Sequence, residues 1–192
     1  MKWSSPIPLS TSHVHTLGNV PAVYRLVAIK PDGESLPVAR VFGSDPVGRI
    51  LIGETTELAR RFNQVVRSAT TGRSGHGPGI TYHEWIGYHQ YVPENVRFQF
   101  ADLAPVTTSL RGAFGELADE DTVTKLAELQ LIFAYRHRFG DAPPANSQAP
   151  HYNDVEAWIK ELTGNTPTYS KSTGMIIAPG FDFEAPFHDL VD

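Results

Sequence analysis

The sequence predicts a small mixed α/β domain with a C-terminal extension. Three observations lead there. Apolar, β-branched runs at 22–30, 48–53 and 96–103 read as strands. Helix-period segments are interleaved with them, one opening at Leu58 and a long one over 121–139. The chain has 192 residues, 41% of them apolar, which is enough for one domain with a real core.

In order along the chain, "AVYRLVAIK" (22–30) is rich in Val, Ile and Tyr, and "PDG" (31–33) is a turn signal. The stretch to Asp45-Pro46 reads as a short strand or a loop. "GRILIG" (48–53) is the next strand, closed by Gly53. Thr55 or Thr56 then caps a helix, with Glu57 near its positive end. Leu58, Phe62, Val65 and Val66 recur at helical spacing, and this helix is expected to fade near Ser68. "TTGRSGHGPG" (70–79) is a glycine-rich loop, and "ITYHEWIGYHQ" suits helix and strand equally.

"VRFQFADL" (96–103) alternates as a strand does, and 104–120 reads as loop with one helical turn at most. The long helix from about Asp121 to Phe139 stops at Gly140. "DAPPAN" forbids helix, "DVEAWIKEL" (154–162) restores it, and Gly164 ends it. The tail, broken by Pro167, Pro179 and Pro186, is expected to be an irregular arm. The boundaries that follow are an N-terminal extension over 1–20, a central domain over 21–147, and a C-terminal helix and acidic arm over 148–192.

Composition removes several classes. Without cysteine there is no disulfide framework and no Cys-based zinc site. No run approaches the roughly 20 apolar residues of a membrane span, and "MKWSSPIPLS" lacks the layout of a secretion signal. A soluble, cytoplasmic protein with no membrane partner is expected. A net charge of -5 argues against non-specific coating of nucleic acid. The charge is uneven, however. Arg49, Arg60, Arg61, Arg67 and Arg73 stand against only Glu54 and Glu57, whereas 174–192 holds Asp182, Glu184, Asp189 and Asp192 and no Lys or Arg. A local basic patch can bind phosphate on an acidic chain.

Four quoted segments then bear on chemistry. "AVY" (22–24) opens the first strand and "LIG" (51–53) ends the next. "ETTELARRF" (54–62) leads from that strand into a helix with paired arginines. "AELQLIFAYRHRFGDAPPAN" (127–146) is a long helix running into a proline-broken turn. In this order they resemble the GIY-YIG nuclease family, over roughly 22–147. Ala22 stands where the family has its first glycine, Leu51 where it has its second tyrosine, and Val65 where many members carry a histidine.

The resemblance implies a small, mainly antiparallel three-stranded sheet flanked by helices, and phosphodiester hydrolysis in nucleic acid, DNA ahead of RNA. It places Tyr24, Arg61, Glu128 and Asn146 on the family's functional positions, with Mg²⁺ or Mn²⁺ on Glu128. The chemistry suits those residue types. Mg²⁺ keeps much of its water and needs few protein ligands, so one carboxylate can hold it. Arg61 offers a planar fork of donors to phosphate oxygens. Tyr24 would orient or deprotonate water, and Asn146 would bind the phosphate or fix Glu128.

Each residue has a plainer reading beside this one. Glu128, on a stripe with Leu131, Ile132, Tyr135 and Phe139, would be partly exposed or bridged to an arginine. Arg60 and Arg61 would form a solvated helix face, though adjacent helical residues point about 100° apart and only one can face a site. Tyr24 would be a packed strand tyrosine, and Asn146 ordinary turn chemistry. His76, between glycines in "RSGHGPG", is a candidate substitute for the missing tyrosine. Arg60, Arg67 and Arg73 are candidate nucleic-acid contacts.

Other constellations fail. His13 and His15 have no nearby carboxylate, and no Walker loop, dinucleotide fingerprint, G-x-S-x-G or H-E-x-x-H occurs. Two rivals to a nuclease remain. One is a degenerate domain of this kind that binds nucleic acid or protein without cutting. The other is an acidic inhibitor whose tail mimics nucleic acid. The tail, with Phe181, Phe183 and Phe187 among its acids, is expected to pack on the domain or on a protein partner, and to be able to shield the arginines.

Overall fold

A computed structural model describes residues 1–71, 93–146, 152–180 and 182–191. Its centre is a four-stranded, wholly antiparallel sheet built from β1 (Ile7–Pro8), β2 (Ala22–Ala28), β5 (Arg49–Thr55) and β6 (Val96–Asp102), in the order β1-β6-β2-β5. The three strands expected from the sequence form its body. The short β1 joins the β6 edge, and with only two residues it carries no periodicity that could announce it. A separate hairpin, β3 (Val38–Arg40) with β4 (Gly43–Asp45), precedes β5.

Both faces of the sheet are covered, so every residue of β2 is buried and the strand reads as a continuous apolar run. Period 2 still decides which face each side chain meets. Tyr24 lies opposite Gly53 on β5 and Phe100 on β6, and Leu26 lies opposite Leu51 and Phe98. These rows face helix α1 (Leu58–Thr71), which buries Leu58, Phe62, Val65, Val66 and Ala69 against them. Val23, Ile52 and Ala101 face the other way, against α2 (Ala104–Phe114), α3 (Glu120–Phe139) and α4 (Tyr152–Thr163).

The helices start and stop for local reasons. The Thr55 hydroxyl accepts the Glu57 amide (3.0 Å) in the turn that launches α1. That helix runs to Thr71, one turn beyond the fade expected near Ser68, because Ser68 and Ala69 are themselves buried. The Asp119 carboxylate accepts the Thr122 amide (2.7 Å) and caps α3, which ends at Gly140 in the left-handed conformation, φ 86°.

The 104–120 stretch corrects the sequence reading. It holds α2, eleven residues long, and then a 3-10 turn at Gly115–Leu117. The Thr107-Thr108 pair and Gly112 weaken its local propensity, Pro105 suits its first turn, and burial of Val106 and Leu110 decides for helix.

The C-terminal arm, expected to be irregular, carries a short antiparallel pair, Thr168–Tyr169 with Ile176–Ile177, and a 3-10 helix over Ala185–Leu190, and it belongs to the core. Phe183, Phe187 and Leu190 are buried with α3. The fully buried Gln130 donates to the carbonyls of Ile176 (2.9 Å) and Phe183 (3.2 Å) and accepts the Ile176 amide (2.5 Å). The arm also meets the N-terminus: the Trp3 indole donates to the Leu190 carbonyl (3.0 Å), and the Met1 amine pairs with Asp189 (3.2 Å). Of the expected arm aromatics, Phe181 lies outside the described residues. Among the described residues no helix is long and apolar enough to cross a membrane.

Candidate functional site

Three elements bring Tyr24, Arg61 and Glu128 together. Tyr24 stands on β2, 1% exposed, its ring stacked on Phe98 with centroids 5.1 Å apart. It lies across the backbone of the edge strand β5. A Cβ added at Gly53 would sit 2.5 Å from both Cζ and Oη of Tyr24. Gly53 is therefore required for space and not for an unusual φ: a bare backbone lets the phenol reach over the strand toward the sheet edge.

Arg61 comes from α1, between the exposed Arg60 and the fully buried Phe62. It is half-buried, and its Nε is shut off from solvent with no hydrogen-bond partner among the described residues. Glu128 comes from α3 and is half-buried. Burial pushes its carboxyl up to about 8, Glu54 adds to this by repulsion, and Arg61 opposes it. Burial likewise drives the Tyr24 phenol far above the ordinary tyrosine value. Arg61 pulls it back, and Glu128 and Glu54 raise it further. Tyr24 and Glu128 thus each lie within electrostatic reach of Arg61 and of Glu54, and of one another.

Glu54 was not singled out from the sequence. It follows Gly53 on β5, and the Thr124 hydroxyl of α3 donates to its Oε2 (3.1 Å). The signal was its place in "ILIGET": Ile52 and Glu54 alternate onto the α3 face, so a carboxylate there must meet that helix.

Asn146 lies at the same strand. Its Oδ1 accepts the Ile52 amide (2.9 Å), and its Nδ2 donates to the Ile52 carbonyl (2.7 Å). The Ala145 amide adds a bond to the Ile50 carbonyl (2.9 Å). Asn146 thus finishes the outer edge of β5 where Gly53 and Glu54 begin. It touches the strand that carries the cluster, and its amide group is spent on backbone.

The arginines divide. Arg60 is 59% exposed and its Nε bridges to Glu57 (2.5 Å). Arg67 is exposed, seven residues on, so the two share one solvent-facing stripe of α1. Arg49 is buried, held by both oxygens of the fully buried Asp45 (3.0 and 3.1 Å) and donating to the Val191 carbonyl, so it is not part of a basic surface. His76 and Arg73 lie outside the described residues. Leu51 on β5 and Val65 on α1 are fully buried between strand and helix and carry no proton-transferring group.

The donor chemistry fits a hard divalent cation. Burial first and the neighbouring Glu54 second hold the Glu128 carboxyl high, a bound cation would oppose both, and carboxylate oxygens suit Mg²⁺ or Mn²⁺. Among the described residues no three or more His, Asp or Glu side chains gather around one point, so water and substrate would supply most of the coordination. Compared with protein-family models, with curated proteins and with solved structures, the chain gives no match.

Proposed function

We propose that this protein is a GIY-YIG-like, metal-dependent endonuclease that hydrolyses phosphodiester bonds in nucleic acid, DNA ahead of RNA. The observation that carries the reading is the convergence of Tyr24, Arg61 and Glu128 from β2, α1 and α3, with a buried Arg61 Nε that has no partner among the described residues. A buried donor left unmade costs about 1–3 kcal/mol, and a phosphate oxygen would satisfy it. Arg61 binds the phosphate there and stabilises the charge that grows on its oxygens. Glu128 holds the cation. A bound Mg²⁺ or Mn²⁺ makes coordinated water more acidic and polarises the phosphoryl group. Tyr24 orients the water or phosphate as a hydrogen-bond donor, since its burial keeps the phenol protonated at neutral pH.

Around this centre Asn146 supports the site by fixing the backbone of Ile52. Arg60 and Arg67 offer backbone-phosphate contacts along the exposed stripe of α1, with Arg73 and His76 as further candidates.

Incubation with supercoiled plasmid and Mg²⁺ or Mn²⁺ tests the reading. Wild type nicks the plasmid, Glu128→Gln abolishes nicking, Arg61→Ala lowers the rate by about 10²–10³-fold, and Glu116→Gln, at an exposed position outside the cluster, changes it little. Binding without nicking under either metal overturns the reading. That result favours a catalytically degenerate binding domain, which the apolar, fully buried Leu51 and Val65 also favour.

A further inference from the structure

We propose that Glu54 is a second oxygen ligand of the divalent cation assigned above to Glu128, so that the ion is held between strand β5 and helix α3. The inference rests on the cation part of that reading and on placement. Glu54 lies opposite Val23 in the register and on the α3 face of β5. The hydroxyl of the fully buried Thr124 is 3.1 Å from its Oε2 and 2.9 Å from the Asp121 carbonyl, so the helix itself fixes that hydroxyl. Thr124 precedes Glu128 by four residues, one helical turn on the same face, where side chains start about 5–6 Å apart. One oxygen of Glu54 is thereby tethered a single turn from the Glu128 carboxyl.

Two carboxylates this close, and partly withdrawn from water, repel one another unless a proton or a cation lies between them. Each acts on the same phenol, and Glu54 acts on Glu128. The solvent-shielded Nε of Arg61, without a partner among the described residues, calls for an acceptor, which a phosphate carried by such a cation would supply. A cation between the carboxylates, carrying a phosphate toward Arg61, satisfies both needs. It also accounts for a charged residue on a strand whose preceding five positions are buried.

The test is Mn²⁺ binding to the whole protein without nucleic acid, followed by the electron paramagnetic resonance signal of free Mn²⁺, with circular dichroism reporting folding. Glu54→Gln keeps the side chain's shape and its ability to accept from Thr124. Glu54→Gln and Glu128→Gln should each raise the dissociation constant at least about tenfold, since loss of even an outer-shell partner costs 10–100-fold. Glu116→Gln, which removes an exposed carboxylate outside the cluster, should leave it unchanged. Should Glu54→Gln fail to fold, Glu54→Asp, which withdraws the carboxylate by one methylene, should weaken binding in the same direction. Wild-type affinity in the Glu54 variant, or no Mn²⁺ binding by the wild type, overturns the inference. Unchanged affinity together with plasmid nicking removes Glu54 and leaves the nuclease reading standing. Affinity lost in both Gln variants without nicking by the wild type does the reverse.

Discussion

At the scale of single residues, Gly53 and Tyr24 form one device. Any Cβ at position 53 must displace the Tyr24 ring, which is pinned against Phe98 and cannot swing away. Gly53→Ala should therefore destabilise by about 1–3 kcal/mol, the usual cost of overpacking. Urea denaturation should show much of that loss recovered when Tyr24→Leu is added, because the clash and its cause vanish together. Additive losses would contradict the packing argument. Glu128 gives a second prediction. Its ordinary carboxyl value is 4.5 and its folded value is about 8. Between those values the unfolded chain releases the proton while the folded chain keeps it, so the unfolded state binds fewer protons and stability falls as pH rises. The contribution is fully present below about pH 4.5 and lost through about pH 8. In the presence of a chelator, Glu128→Gln should melt near the wild type at pH 4.5 and above it at pH 8, by about 2–4 °C per kcal/mol. Melting curves that stay parallel across that range would count against a buried, proton-holding carboxyl.

At the scale of elements, β5 is the sheet edge on which the cluster is built, and its outer side is finished by a side chain. Asn146 mimics a neighbouring strand at Ile52. Asn146→Ala should cost about 1–3 kcal/mol for the two bonds and speed hydrogen exchange at the Ile52 amide, leaving the central strand β2 protected. Unchanged exchange at Ile52 would show that the edge holds without it. The elements themselves were largely legible. The body strands and α1, α3 and α4 declared themselves through periodicity and through caps such as Gly140 and Gly164. Helix α2 did not, because the burial of Val106 and Leu110 that decides it is a tertiary fact. Of the candidate site, the resemblance had singled out Tyr24, Arg61 and Glu128, and the fold brings them within electrostatic reach of one another. The partner of Asn146 could not be read in advance, since it depends on where a turn ninety-four residues downstream of Ile52 comes to rest. Glu54 was readable in principle from strand alternation, but only once the face toward α3 was known.

At the scale of the whole molecule, the two termini close the side of the sheet away from α1. Met1, Trp3, Leu190 and Val191 bind one another or the buried Arg49, so the acidic arm is a structural part of the α3 face. Its Phe183 and Phe187 are consumed in that core, which leaves its exposed acids as surface charge. The arginine stripe of α1 lies on the opposite face of the sheet, and the arm meets the arginine run at Arg49. Arg60 and Arg67 are thus exposed on the face away from the acidic arm. The central claim is that β2, α1 and α3 build a common pocket for a cation and a phosphate. The most direct measurement is a crystal structure of the protein soaked in Mn²⁺, read from the anomalous signal. A peak about 2.1 Å from a Glu128 oxygen, with the Arg61 guanidinium and the Tyr24 phenol facing the same space, is the predicted result. A Mn²⁺ peak elsewhere on the surface, or none at Glu128 at saturating metal, would contradict it.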